Sequence, residues 1–139
     1  VKIFHPSGKG EPVVAKVLID SAATRAYVTK SVRNRLGLPM LGKERLNTLM
    51  FGRSETGLRE FDNTEVVVQG WATGEKVRQQ ALIAKNIAHP MAPVRLTNLA
   101  KLGVPLADNG TLDIAEICML IGGDQYWDVL LPQPAIIGK

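Results

Sequence analysis

An apolar, β-branched run, Val13-Val14-Ala15-Lys16-Val17-Leu18-Ile19, stops abruptly at an acid, Asp20, and the small residues Ser21, Ala22, Ala23 and Thr24 follow. A run of this length with no turn residue inside it reads as a buried strand. A carboxylate at the end of such a strand is costly to desolvate unless something stabilises its charge or shares a proton with it. Small residues behind the acid let backbone groups come close to it. The segment predicts a strand that delivers an acid into a tight loop, which restricts both fold and chemistry.

The rest of the chain reads as further short strands. Residues 1–4 form a strand candidate, Pro6-Ser7-Gly8-Lys9-Gly10 a turn, and residues 13–19 the returning arm of a β-hairpin. Beyond the acid, Ala26-Tyr27-Val28 continues as a strand. Thr29 is placed to cap a short helix over residues 30–36, stopped by Gly37 and Pro39. Residues 46–51, 64–68 and 76–84 are strand candidates, with turns at residues 52–57 and 71–76. A short helix is expected over residues 94–102. The apolar strand Ile117-Cys118-Met119-Leu120-Ile121 then leads into Gly122-Gly123, with Asp124 as cap of a last helix over 125–130. Trp127, at helical spacing from Gly123 and Leu130, is expected to anchor in the core. Short strands separated by glycine turns, with only one or two short helices, predict an all-β fold, a small closed barrel or sandwich.

The 139 residues suit a single domain, 1–139, with a core that needs neither disulfide nor structural metal. The first residue is Val1, so the domain is expected to be excised from a longer protein. Pro132-Gln133-Pro134 is a candidate domain boundary. The lone Cys118 lies in an apolar run and reads as a buried small hydrophobe. Two histidines, His5 and His89, and one cysteine are too few for a zinc site, and no metal or cofactor is expected. No apolar run approaches the ~18 residues needed to span a bilayer, and no secretory signal is evident; an intracellular, cytoplasmic setting without membrane contact follows as the expectation. Net charge is +4, with a modest cluster at Arg25, Lys30, Arg33 and Arg35. Nucleic-acid domains concentrate such charge and, for single strands, interleave it with aromatics, which are 5% of this chain, so a solvated basic face is expected rather than a nucleic-acid partner. Salt-sensitive nucleic-acid binding through that cluster is the alternative.

Two separated segments carry a resemblance. One is Leu18-Ile19-Asp20-Ser21-Ala22-Ala23-Thr24-Arg25-Ala26-Tyr27-Val28, followed by Arg35-Leu36-Gly37-Leu38-Pro39; the other is Met119-Leu120-Ile121-Gly122-Gly123-Asp124-Gln125-Tyr126-Trp127. Together they resemble the retropepsin-like aspartic peptidase of Pao/BEL-type retrotransposons. In that family a strand ends in Asp-Ser-Gly plus a small residue and leads to a short helix ending Leu-Gly-Leu. A late apolar strand then runs into Ile-Gly-x-Asp-x-x-Trp. The resemblance covers residues 1 to about 130. It implies a retroviral-protease barrel, active as a homodimer with one catalytic aspartate per subunit, Asp20, and a peptide or polyprotein as substrate. It places Ser21, Ala22, Ala23 and Thr24 in the active-site loop. It also puts Phe51, Gly52, Arg53, Ser54, Glu55 and Thr56 in a flap over the substrate, and Ile121 and Gly122 beside the loop.

Two departures matter. Ala22 stands where the family has glycine, which leaves two readings open: a working endopeptidase, or an inactive domesticated domain that serves as a dimerisation or peptide-binding module. The family's interleaved terminal strand corresponds to Ala135-Ile136-Ile137 or to residues beyond Lys139.

Overall fold

The computed structural model describes residues 1–49, 56–70, 74–88 and 116–129. The expectations for the flap residues Phe51, Gly52, Arg53, Ser54 and Glu55, for the helix over 94–102 and for residues 132–137 lie outside these.

The described residues form an all-β fold: eight strands in one curled sheet, with two short helices. The first strand, β1 (Lys2–Phe4), pairs antiparallel with β2 (Val13–Val14), Ile3 facing Val13, which gives the expected opening hairpin. The apolar run does not stay one strand. It breaks at Ala15 and resumes as β3 (Lys16–Ile19), with a register shift between Lys16 and Val17. A bulge of this kind bends the strand, so its two halves address different partners. β2 bonds to β1, whereas β3 runs parallel to β8 (Ile117–Ile121).

The remaining strands are β4 (Tyr27–Thr29), β5 (Gly42–Leu49), β6 (Thr56–Gln69) and β7 (Lys76–Ala84). The order across the sheet is β2-β1-β6-β7-β4-β8-β3, with β5 attached to β6. β2 and β3 are consecutive in the chain yet stand at opposite ends of this path. The sheet therefore curls until its ends nearly meet, a small, nearly closed barrel.

Consecutive residues along β4, β7 and β8 fall into two apolar clusters on opposite faces, as strand alternation requires. Val28, Ile83 and Met119 belong to one, with Ile3, Val66 and Val32; Tyr27, Leu82 and Leu120 belong to the other, with Phe61 and Ile87. Tyr27 meets Phe61 edge-on, ring centres 5.7 Å apart. The helix α1 (Lys30–Leu36) occupies the expected residues. The Thr29 hydroxyl accepts from the Val32 N–H, and Gly37, at φ 63°, ends the helix in the left-handed conformation that glycine adopts without strain. Val32 and Leu36 face the first cluster. Cys118 is buried, as expected, and burial pushes its thiol pKa up.

Several expectations are corrected. β5 begins four residues before the predicted 46 and β6 eight before the predicted 64, because charged residues that do not read as strand pair across this hairpin. Lys43 and Arg45 on β5 both reach Glu60 on β6, at 3.2 Å and 3.5 Å. The last helix, α2, spans only Tyr126–Val129. Trp127 is not a core anchor: it is 77% exposed, packed edge-on against Tyr126 at 5.1 Å, because one helical turn is too short to bury it. Val14, Leu18 and Ile19 are likewise exposed where burial was expected. No helix among the described residues is long and apolar enough to cross a membrane.

Candidate active site

The β3–β8 ladder runs one residue past β3. Ile19 lies opposite Ile121, and the Asp20 N–H donates to the Ile121 carbonyl at 3.0 Å. Asp20 thus sits, half-buried, where the strand's hydrogen bonding ends. Its carbonyl accepts from the Ala23 N–H at 3.2 Å, which folds residues 20–23 into a turn. Its side-chain Oδ1 accepts from the Ala22 N–H at 3.0 Å, the bond by which an aspartate commonly organises a turn two residues on. That bond fixes the carboxylate's orientation, and Oδ2 accepts no hydrogen bond among the described residues. Ser21, Ala22 and Thr24 are exposed around it, and Ala23 is half-buried.

Behind the loop lies the Gly122-Gly123 pair, and the contact admits no side chain. A Cβ on Gly122 would stand 2.7 Å from the Arg25 carbonyl carbon, closer still to its oxygen, and 2.9 Å from the Ala23 oxygen. One on Gly123 would stand 2.7 Å from the Ser21 oxygen. In this packing the Gly123 N–H donates to the Ala23 carbonyl at 2.6 Å. The residues Asp20, Ser21, Ala22, Ala23, Thr24, Ile121 and Gly122, separated by about a hundred positions in sequence, are therefore brought together. Thr56 opens β6, while the other expected flap residues fall outside the described ones.

The sequence reading missed the side chain that ties this loop to its surroundings. Arg25, expected on a solvated basic face, is only 25% exposed and makes a two-pronged ion pair with Glu44 of β5. The Nη2–Oε1 arm measures 2.9 Å, and Arg25 Nε lies 3.7 Å from Asp124. Glu44 Oε1 also accepts from Asn63 Nδ2 of β6 at 2.9 Å. The Glu44 hydrogen bonds raise the Arg25 pKa further, so the guanidinium is permanently charged. Asp124 accordingly faces Arg25 and Gln125 Nε2 rather than serving as the expected helix cap. The signal lay in Lys43-Glu44-Arg45, an alternation that puts one acid on the opposite face from two bases.

A groove of about 420 Å³ lies elsewhere, lined by the 5–10 turn with Val67, Lys76 and Arg78. Its Ser7 hydroxyl is 2.8 Å from His5 Nδ1, but that nitrogen also takes the Ser7 backbone N–H at 3.0 Å and so holds the turn together.

Comparison with family models, with curated proteins and with solved structures finds no match to this chain.

Proposed function

We propose that this domain is a retropepsin-like aspartic endopeptidase, working as a homodimer in which each subunit contributes Asp20 and processing a polyprotein. The observation that carries the reading is the Asp20 loop: a half-buried carboxylate at a strand end, oriented by the Ala22 N–H and packed on two glycines that exclude any side chain. The exposure of Leu18 and Ile19, 36% and 44%, on the strand leading to the acid supports a second subunit at that edge.

The chemistry follows from pairing one acid with its twin. Two carboxylates a few ångströms apart cannot both ionise cheaply, so they share a proton. The ionised member takes a proton from water as that water attacks the scissile carbonyl, and the protonated member donates a hydrogen bond to the carbonyl oxygen. A two-fold axis supplies both from one sequence position, and the pair titrates as a unit. In this reading the β5–β6 hairpin closes over an extended peptide and pairs with its backbone. Ala22 favours a second reading, an inactive dimerisation or peptide-binding module, since it is exposed in the loop and carries a methyl group where the resembled family has glycine.

The test is digestion of a peptide library, read by mass spectrometry, at high protein concentration across acidic to neutral pH. Cleavage by the wild type and none by Asp20→Asn is the expected result. Cleavage that survives in Asp20→Asn ends the assignment, and a silent wild type that still binds peptide favours the module.

A further inference from the structure

We propose that Arg25 is a positioning residue that fixes the Asp20 loop against the base of the β5–β6 hairpin and against the start of α2. The inference deepens the peptidase reading and rests on it. Three elements meet at one guanidinium. Arg25 belongs to the loop itself, five residues after the acid, and its backbone carbonyl presses on Gly122. Its side chain takes both oxygens of Glu44 on β5, and its Nε approaches Asp124, the residue two before α2. Asn63 on β6 bonds the same Glu44 oxygen and so ties the second hairpin strand to the pair.

The geometry of the fork matters more than its charge. A planar guanidinium with two parallel hydrogen bonds restrains direction as well as distance, and a lysine ammonium restrains only distance. Partial burial, which leaves 25% of the Arg25 side chain and 29% of the Glu44 side chain exposed, shields the pair from the screening that weakens exposed ion pairs. Glu44 sits opposite Phe61 and Gly42 opposite Asn63, so the clamp grips the hairpin at its root and leaves its far end unrestrained by these contacts. A hairpin held at its root keeps a fixed direction relative to the Asp20 loop.

The test compares the 139-residue wild type with Arg25→Met, Arg25→Lys and Glu44→Gln, by amide hydrogen exchange and by peptide turnover. The Ala22, Ala23 and Gly123 amides should exchange about tenfold faster in Arg25→Met and Glu44→Gln, while the Met119 amide of the core exchanges as in the wild type. Turnover should fall about 100-fold in kcat with KM within about threefold, the signature of a displaced reacting group. Arg25→Lys should fall between, because it keeps the charge and loses the fork. Glu44→Gln preserves size and keeps the test valid if Arg25→Met does not fold. Unchanged loop exchange in both neutralising variants, or unchanged kcat in an active wild type, overturns the proposal. If the wild type cleaves nothing, the peptidase reading fails and the exchange data alone decide whether the clamp exists.

Discussion

Replacing Gly122 with alanine tests whether the acid's loop is built on the late strand. An alanine Cβ there would meet the Arg25 carbonyl carbon at 2.7 Å and the Ala23 oxygen at 2.9 Å, both backbone atoms that no rotamer change can move. Ordinary carbon contacts lie near ~3.5 Å, so the loop must retreat by about 1 Å. Overpacking of this kind costs about 1–3 kcal/mol, and rigid backbone on two sides puts Gly122→Ala at the upper end. With roughly 2.1 cal/mol/K of unfolding entropy per residue, about 3 kcal/mol in a chain of 139 residues lowers Tm by about 10 °C. A 1 Å displacement of the reacting group also lowers turnover by about 100-fold. Gly70→Ala is the matched control: a Cβ there meets nothing within 4 Å and its φ is not left-handed, so it should gain about 0.4–1 kcal/mol by restricting the unfolded chain. Thermal unfolding followed by circular dichroism reads both. A Gly122→Ala protein that melts within about 2 °C of the wild type would refute the packing of loop on strand.

Two further outcomes follow from buried groups. Gln79 is 1% exposed on the face shared with Val66, Ala81 and Thr64, and neither atom of its amide has a hydrogen-bond partner among the described residues. Gln79→Met, of the same shape, should raise stability to urea by about 1–3 kcal/mol, and a loss of that size would show that the amide is satisfied after all. Burial raises the Cys118 pKa, so the folded state keeps its thiol proton above pH ~8.5 where the unfolded chain releases it. The unfolded state then binds fewer protons, and stability falls as pH rises from ~8.5 through the folded pKa. Denaturation series at pH 7.5 and 9.5 should show this loss in the wild type and a smaller one in Cys118→Ala.

Local signals in the sequence are legible where the residues themselves make the structure. The helix after Thr29 has its cap, its apolar pair Val32 and Leu36 and its terminating Gly37 within nine positions, so its limits were legible. β8 and the last four residues of β7, Ala81-Leu82-Ile83-Ala84, were legible because burial on both faces leaves a continuous apolar signature. The Asp20 loop was legible for a different reason, as a sharp boundary between apolar and small residues, even though Leu18 and Ile19 turn out exposed. The hairpin β5–β6 was not, since its cross-strand partners, such as Lys43 and Glu60, are charged and come together only once two strands meet. Arg25 was misread for a related reason. A lone arginine among other bases looks solvated until the fold brings Glu44, nineteen positions away, against it. Trp127 shows the reverse, a large apolar residue whose spacing suggested burial but whose helix lasts one turn.

The parallel pairing of β3 with β8 has a consequence for how the chain is made. Ile19 and Ile121 are about a hundred residues apart, so the acid's supporting ladder closes one of the longest loops the domain possesses. During synthesis the hairpin of β1 and β2 and the β6–β7 pair can assemble early from neighbours in sequence. The segment ending in Asp20 must wait for the late strand to emerge. High contact order of this kind slows folding, and it leaves Val17, Leu18 and Ile19 as an unpaired, sticky edge until β8 emerges. Whatever activity resides at Asp20 is thereby withheld from the growing polypeptide until nearly all of the domain is present.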